Sequence, residues 1–191
     1  MAGSLPRMTA ETSTLIVVDV QDRLLAKIPT ASNLIRSIGF LLDAAELFQV
    51  PVRATEQYPK GLGPTTAELA RRLPADRPSK TAFSSCGAAG FLSDLRGLGR
   101  PHVVLTGMET HVCIAQTALD LIEAGFAVFL PVDAVASRFS IDCETALRRL
   151  ERAGAIPTTA EAVAFEWAGD AAHPRFKEFS RLVVARDAAG R

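Results

Sequence analysis

The sequence has few cysteines, few histidines and no net charge, and each of these shortages argues against a class of function. Its 191 residues contain three cysteines and three histidines, and 21 basic side chains balance 21 acidic ones. The cysteines are widely spaced, at Cys86, Cys113 and Cys143, so they form neither a disulfide framework nor a paired-cysteine zinc site. A nucleic-acid-binding protein normally carries a basic surplus, so the balanced charge argues against that partner.

Long apolar runs and common ligand-binding motifs are also missing. No stretch reaches the roughly 18 consecutive apolar residues of a membrane helix. Residues 1–13 lack the basic start and apolar core of a signal peptide. We therefore expect a cytoplasmic protein that does not bind membranes. No two histidines have metal-ligand spacing and no glycine-rich phosphate loop occurs, so we expect no metal and no cofactor.

The sequence does contain short apolar runs that alternate with helical patterns. Clear strand candidates are 14–20, 50–55, 102–106 and 126–130, with weaker ones at 79–85 and 155–158. Helical spacing covers 29–48, 65–73, 90–98, 110–124 and 141–153. This alternation predicts a three-layer α/β/α, Rossmann-like fold, in which a mostly parallel six-stranded sheet has helices on both faces.

The same patterns give a simple domain organisation, since no linker or internal repeat interrupts them. We assign residues 14–184 to a single domain, 1–13 to an N-terminal extension and 185–191 to a C-terminal tail. The length fits one domain of ordinary size.

Polar residues at the carboxyl ends of strands are the first candidates for a site, because ligands bind there in α/β sheets. Asp19 ends the first apolar run, Lys80 lies in the middle of the chain, and Cys113 follows the 102–106 strand in a predicted first helical turn, with Gly107 allowing a tight turn. The helix terminus and a nearby lysine would lower the pKa of that thiol. Ordinary explanations stay open: a surface acid, a solvent-facing lysine and a buried small side chain.

Four motifs turn these candidates into a recognisable pattern. They are VVDVQ (17–21), SKTAFS (79–84), GMETHVCIAQTALD (107–120) and PVDAVAS (131–137). Together they resemble the isochorismatase-like cysteine hydrolases, which include nicotinamidases, N-carbamoylsarcosine amidases and isochorismatases. The resemblance extends from about residue 14 to about residue 182. The TEQYPKGLG stretch (55–63) is most similar to the branch of isochorismatase domain-containing hydrolases.

The resemblance implies a catalytic triad of Asp19, Lys80 and Cys113. It also implies a cis peptide bond between Met108 and Glu109, and an oxyanion hole formed by the backbone N–H groups of Glu109 and Cys113.

Gln21, Tyr58, Phe83 and Thr110 are candidates for the substrate pocket because they lie in the motifs or near them in the sequence, although ordinary packing explains them equally well.

Nicotinamidases carry an Asp and His cluster after the second strand that binds a metal. The corresponding residues 55–58 contain no histidine here, so the resemblance implies no metal.

The implied activity is hydrolysis of an amide-type C–N bond of a small molecule through a thioester. One alternative is an isochorismatase-type vinyl ether hydrolase, and another is a catalytically silent scaffold that binds a small molecule or a partner protein.

The family is commonly oligomeric, so we expect a homo-oligomer. Apolar residues of the tail, such as Val163, Phe165 and Trp167, would either form its interface or pack on the core.

Overall fold

Residues 7–188 are described by a computed structural model, in which strands and helices alternate along the chain. The strands are β1 (Ser13–Val18), β2 (Val52–Gln57), β3 (Ser79–Lys80), β4 (His102–Met108), β5 (Ala127–Pro131), β6 (Val135–Ala136) and β7 (Ile156–Thr158).

Nine α-helices connect or follow these strands within residues 7–188. They are α1 (Asp22–Leu25), α2 (Ala31–Phe48), α3 (Pro59–Leu62), α4 (Ala67–Ala70), α5 (Phe91–Gly97), α6 (Ala115–Glu123), α7 (Ser140–Arg152), α8 (Ala160–Ala168) and α9 (Phe176–Ala188). A short 3-10 helix covers Ser85–Gly87, and a π-helical turn covers Thr110–Ile114. None of the helices in this range is both long and apolar enough to cross a bilayer.

The strands form one parallel sheet in the order β3-β2-β1-β4-β5-β7, and β6 pairs with the end of β4. The predicted parallel α/β fold is confirmed, but the sheet has seven strands where six were predicted. The additional strand is Val135–Ala136, which is too short to show the two-residue alternation that marks a strand in a sequence.

Side chains alternate across β1 and supply both layers of the core, as expected for a strand buried on its two faces. Leu15 and Val17 pack in one apolar cluster with α2, α8 and α9. Ile16 and Val18 pack in the other with α5, α6 and α7. Helices therefore cover both faces of the sheet, and the carboxyl ends of the central strands stay free to carry a site.

The tail helix α8 packs mainly on the core of its own chain. Val163 and Trp167 are buried, with 0% and 3% of their surfaces exposed, whereas Phe165 is 45% exposed. Of the two alternatives left open for these residues, packing on the core holds for Val163 and Trp167.

Several predicted boundaries differ from the structure. The predicted helix 65–73 is a single turn at Ala67–Ala70, and the predicted extended segment 79–85 is a strand only at Ser79–Lys80. The tight turn expected at Gly107 is wrong, because that residue lies inside β4. Gly107 has a φ of 118°, and a Cβ there would come within 2.1 Å of the carbonyl oxygen of Val18. Only glycine allows β1 and β4 to approach so closely.

At both ends of the predicted domain, regular secondary structure extends slightly past the predicted limits. Ser13 belongs to β1, and α9 continues through residue 188. Residues 1–6 and 189–191 of the predicted extension and tail lie outside the described residues, so the domain boundaries stay predictions.

Candidate active site

Asp19 and Lys80 form an ion pair at the carboxyl ends of two parallel strands that are separated in the sheet by β2. Asp19 follows β1, and Lys80 ends β3. The Lys80 Nζ atom lies 2.7 Å from Oδ2 of Asp19, and both side chains have 0% exposure. Asp19 adopts a left-handed backbone conformation with φ of 55°, which aspartate tolerates better than most residues. A buried charge is stable only when it is paired and hydrogen-bonded, and this pair meets that condition.

The Lys80 ammonium group has further hydrogen-bond acceptors around it. Its Nζ lies 2.7 Å from Oε1 of Gln57, 2.9 Å from the carbonyl oxygen of Phe83 and 3.3 Å from that of Ala82. These neutral oxygens replace the water that burial removes. The ammonium is therefore held in one place by several partners.

The second oxygen of Asp19 is bound by a buried chain of hydroxyl groups. Thr55 donates to Oδ1 of Asp19 at 2.9 Å, and its Oγ1 lies 3.1 Å from the hydroxyl of Ser85. A hydroxyl has one proton to donate, so Ser85 must donate to Thr55. The backbone N–H of Ser85 in turn donates to Oγ1 of Thr117 at 2.8 Å. All four residues are at most 1% exposed.

Sequence reasoning missed Thr55, Ser85 and Thr117 as supports of the site. The available signal was the position of Thr55 near the end of β2, next to the strand that Asp19 follows. Ser85 and Thr117 gave no signal, since only the folded chain brings the 3-10 helix and α6 to the same place.

Cys113 lies beside this ion pair, in the π-helical turn before α6, and is 6% exposed. The pKa of its thiol is raised from a usual value near 9 to about 12, first by burial and then by the negative charge of Asp19. The positive charge of Lys80 acts in the opposite direction and offsets part of this rise. The expected lowering of this pKa is therefore wrong: Lys80 acts in the expected direction, but burial and Asp19 outweigh it. At neutral pH the resting group is a thiol.

Glu109 connects β4 to this turn, and its peptide bond with Met108 is cis. Its carbonyl oxygen accepts a 3.1 Å hydrogen bond from the N–H of Ile114. Its side-chain Oε2 accepts from both the backbone N–H and Nε of Arg138, at 3.1 and 3.0 Å. The backbone at the proposed oxyanion hole is thus fixed from two sides.

Residues 137–143, called here the 137–143 segment, make further contacts with the cysteine turn. The Ser137 hydroxyl lies 3.0 Å from Nδ1 of His111. The Cys143 thiol donates to Oγ1 of Thr110 at 3.4 Å. With the Arg138 contacts, they join this segment to three residues around Cys113. His111 therefore has a structural partner, and Cys143 contacts the site without belonging to the proposed triad.

Comparisons with known proteins identify the family. The Isochorismatase domain matches residues 13–162. The chain belongs to the isochorismatase domain family. A zebrafish (Danio rerio) isochorismatase domain-containing protein 2 is 39% identical over 186 residues, with 96% of this chain and 92% of the relative covered.

Solved structures agree with this family membership. A protein named MAR1 ribonuclease from Caenorhabditis elegans superposes with a TM-score of 0.88 at 39% identity, covering 94% of this chain and 93% of that one. YcaC from Escherichia coli, described as an octameric hydrolase of unknown specificity, superposes with a TM-score of 0.83 at 25% identity, covering 98% and 100%. The fold is therefore that of isochorismatase-domain proteins over almost its whole length.

Two of the four predicted pocket residues of this isochorismatase domain have structural partners. Gln21 is fully buried, its Oε1 accepts from the N–H of Gln57 at 2.8 Å, and its Nε2 donates to the carbonyl oxygens of Gln57 and Gly63. Thr110 is also fully buried and accepts from Cys143. For both residues, a structural role explains the observed contacts.

The other two pocket candidates, Tyr58 and Phe83, are accessible. They are 53% and 52% exposed, respectively. Each is anchored to Lys80 through its backbone: the Tyr58 N–H donates to the Lys80 carbonyl at 2.9 Å, and the Phe83 carbonyl accepts from the Lys80 ammonium. The backbones of these two aromatic residues are therefore tied to Lys80, and their side chains are open to solvent.

The residues at the position of the nicotinamidase metal cluster do not fit a metal in this isochorismatase domain. Oε1 of Glu56 accepts from the backbone N–H and hydroxyl of Thr65, at 2.9 and 2.8 Å, and from Arg77 at 3.1 Å. The Gln57 side chain binds Lys80. Across residues 7–188, no group of three or more His, Cys, Asp or Glu side chains could hold a metal ion.

Proposed function

We propose that the chain is a cysteine hydrolase that cleaves an amide-type C–N bond of a small molecule, with Cys113 as nucleophile, Asp19 as base and acid, and Lys80 as electrostatic partner. The observation that carries the proposal is the fully buried Lys80–Asp19 pair beside a cysteine. A buried acid, base and nucleophile in contact are expected at catalytic sites more than at structural ones.

The first chemical step forms a thioester. Asp19 takes the thiol proton as the Cys113 sulfur attacks the substrate carbonyl carbon. Because the thiol pKa is about 12, proton transfer accompanies the attack, and no resting thiolate is needed. The backbone N–H groups of Glu109 and Cys113 stabilise the oxyanion. The C–N bond then breaks, and Asp19 returns the proton to the leaving nitrogen.

The second step releases the acid. A water molecule attacks the thioester carbon and gives a proton to Asp19, the C–S bond breaks, and the proton returns to the Cys113 sulfur. Lys80 takes no proton in either step, and its 2.7 Å hydrogen bond to Oδ2 holds the Asp19 carboxylate in position.

A small molecule suits this site better than a polymer does. The reacting side chains are at most 6% exposed, which leaves little room for a polymer to reach them. A related protein is named a ribonuclease, but this chain has no basic surplus to attract a polyanion. Vinyl ether hydrolysis is the second candidate, but it needs a protonated acid, whereas Asp19 is paired as a carboxylate with the Lys80 ammonium.

We also propose that the protein is cytoplasmic and forms a homo-oligomer, as the sequence predicts. The relative YcaC is described as octameric, and its similarity to this chain supports assembly.

A substrate panel tests the proposed reaction. Small primary amides, isochorismate and a short RNA are each incubated with the wild-type protein and with Cys113→Ala. We expect ammonia release from at least one amide, abolished in Cys113→Ala. Turnover of isochorismate that survives Cys113→Ala would favour the vinyl ether reaction, RNA cleavage would favour nuclease activity, and no turnover at all would favour the silent scaffold.

A further inference from the structure

The ammonium group of Lys80 has one charged acceptor and several neutral ones. Its Nζ lies 2.7 Å from Oδ2 of Asp19, 2.7 Å from Oε1 of Gln57 and 2.9 Å from the carbonyl oxygen of Phe83. The carbonyl oxygen of Ala82 is farther away, at 3.3 Å. An ammonium has three protons to donate, so the three shorter contacts account for all of them. Lys80 then acts on the reaction only through the position of its charge.

Gln57 is the neutral side chain that contacts this charge, and its amide is held in one orientation. The sheet places Gln57 opposite Lys80, as register partners of β2 and β3. The Nε2 of Gln57 donates to the carbonyl oxygen of Thr81 at 3.0 Å. Rotating the amide by half a turn would set its N–H donors against the ammonium and its oxygen against that carbonyl, so both hydrogen bonds would be lost. Oε1 therefore faces Lys80.

A second glutamine, the fully buried Gln21, fixes the backbone of Gln57. Its Oε1 accepts from the N–H of Gln57 at 2.8 Å, and its Nε2 donates to the carbonyl oxygen of Gln57 at 3.0 Å. The N–H of Gln21 itself donates to the carbonyl oxygen of Asp19 at 2.8 Å. These contacts close a ring that runs from Asp19 through both glutamines to Lys80 and back to Asp19.

The absence of charge on Gln57 matters as much as its place in this ring. A glutamate has nearly the same shape, but its carboxylate would compete with Asp19 for the ammonium and would lose the donor to Thr81. It would also add negative charge near Cys113, whose thiol pKa is already raised by Asp19 and lowered by Lys80. A neutral amide holds the ammonium and leaves its charge to Asp19 and the reacting sulfur.

We infer that Gln57 is a positioning residue, whose neutral amide fixes the Lys80 ammonium beside Asp19 and Cys113 without competing for its charge. Gln21 supports it by fixing the Gln57 backbone. The kinetic part of this inference rests on the proposed function, because it concerns the same reaction. The part that concerns the ammonium and the thiol does not depend on turnover.

Two near-isosteric variants test the kinetic part on an amide that the wild type hydrolyses. Gln57→Met removes the acceptor, and Gln57→Glu keeps an acceptor but adds a charge. We expect kcat to fall about tenfold or more in both, with KM within about twofold, because the displaced charge acts on the reaction and not on substrate binding. The control is Gln116→Met, an exposed glutamine on α6, which should keep the wild-type kcat. Circular dichroism checks that each variant is folded.

Alkylation of Cys113 by iodoacetamide at pH 9 separates the charge effect from loosening of the fold. Only the thiolate reacts, so Gln57→Glu should label at least threefold more slowly than the wild type, because a second carboxylate disfavours the thiolate. Gln57→Met adds no charge and should stay within about twofold of the wild-type rate. A merely structural role predicts faster labelling in both variants, since a loosened site is more accessible. Cys143 in the same digest is the internal reference.

Proton exchange of the Lys80 ammonium in the wild type needs no substitution and decides the question if both variants misfold. In NMR spectra of lysine ammonium groups, the Lys80 protons should exchange with water at least tenfold more slowly than those of the exposed Lys60. Equal exchange of the two lysines, wild-type kcat in Gln57→Met, or wild-type labelling of Cys113 in Gln57→Glu would overturn the inference. If the substrate panel shows no turnover, the proposed function fails, while labelling and exchange still test the role of Gln57.

Discussion

The ammonium group of Lys80 donates a 2.7 Å hydrogen bond to Oδ2 of Asp19, and neither side chain is accessible to solvent. Removing either partner leaves a buried, unpaired charge, which typically costs about 3–5 kcal/mol. This pair is therefore expected to matter for folding as well as for chemistry, and the two effects must be separated by experiment.

A double-mutant cycle measures the coupling between Lys80 and Asp19. We expect Lys80→Met and Asp19→Asn each to lower the free energy of unfolding by about 3–5 kcal/mol. The double variant should lose clearly less than the sum, because neither charge is then left alone. Urea unfolding at neutral pH gives the values. Arg175→Ala, which breaks an exposed pair with Glu178, is the control and should change little. If the double variant loses as much free energy of unfolding as the two single variants together, the proposed coupling is contradicted.

Thr55 is expected to act as a positioning residue through its hydrogen bond to Oδ1 of Asp19. Thr55→Val keeps the shape of the side chain but removes the donor, so stability should fall by about 1.5–3 kcal/mol. Turnover of an amide found in the substrate panel should fall about tenfold or more, because the carboxylate loses one of its two anchors. Thr55→Ser, which restores the hydroxyl, should recover most of both losses. If serine does not rescue turnover, the hydroxyl is not what positions Asp19.

The polar residues at strand ends could be predicted from the sequence, because an Asp directly after an apolar strand is unusual and ligands bind at the carboxyl ends of such strands. Sheet topology then brings Asp19 and Lys80 to one edge, since β1, β2 and β3 are parallel neighbours. The state of the Cys113 thiol could not be predicted in the same way. It depends on the balance between burial and two opposite charges, and that balance is a property of the packed site.

The strand β6 and the role of Gly107 could not be predicted from the sequence either. A strand of two residues at Val135–Ala136 leaves no periodic pattern. Gly107 suggested a turn because glycine is common in turns. Its actual role, the close contact with Val18 of β1, involves a residue far away in the sequence and becomes visible only after folding.

The raised pKa of Cys113 predicts a pH dependence of stability. In the unfolded chain this thiol ionises near pH 9, whereas in the folded chain it ionises at about 12. Between these values the folded state binds more protons, so its stability falls as pH rises. At pH 10 the loss amounts to roughly 1 kcal/mol, and it should be absent in Cys113→Ala. Urea unfolding at pH 7.5 and pH 10 gives the alkaline loss of stability for the wild type and for Cys113→Ala, and the difference between the two losses is the contribution of the thiol. An equal alkaline loss in both would show that the thiol is not perturbed.

Alkylation tests the same thiol by an independent route. Only the thiolate reacts with iodoacetamide, so labelling of Cys113 should be slow at neutral pH and should rise without a plateau through pH 10. Mass spectrometry of each cysteine peptide gives the rates. Cys143 serves as an internal comparison, because it is more accessible than Cys113. A plateau of Cys113 labelling below pH 8 would instead indicate a resting thiolate, and proton transfer to Asp19 would then precede substrate binding.

Arg138→Ala tests whether the 137–143 segment positions the cysteine turn. Arg138 is about half-exposed and its pair with Glu109 is partly solvated, so the free energy of unfolding should change by at most about 1 kcal/mol. Turnover should nevertheless fall about tenfold, because the backbone N–H of Glu109 loses a support beside the developing oxyanion. Such a loss in kcat with little change in KM separates positioning from substrate binding. The matched control is Arg148→Ala, an exposed arginine on α7 whose only partner described is Thr145. If Arg138→Ala hydrolyses its substrate at the wild-type rate, the Arg138–Glu109 contact has no part in catalysis.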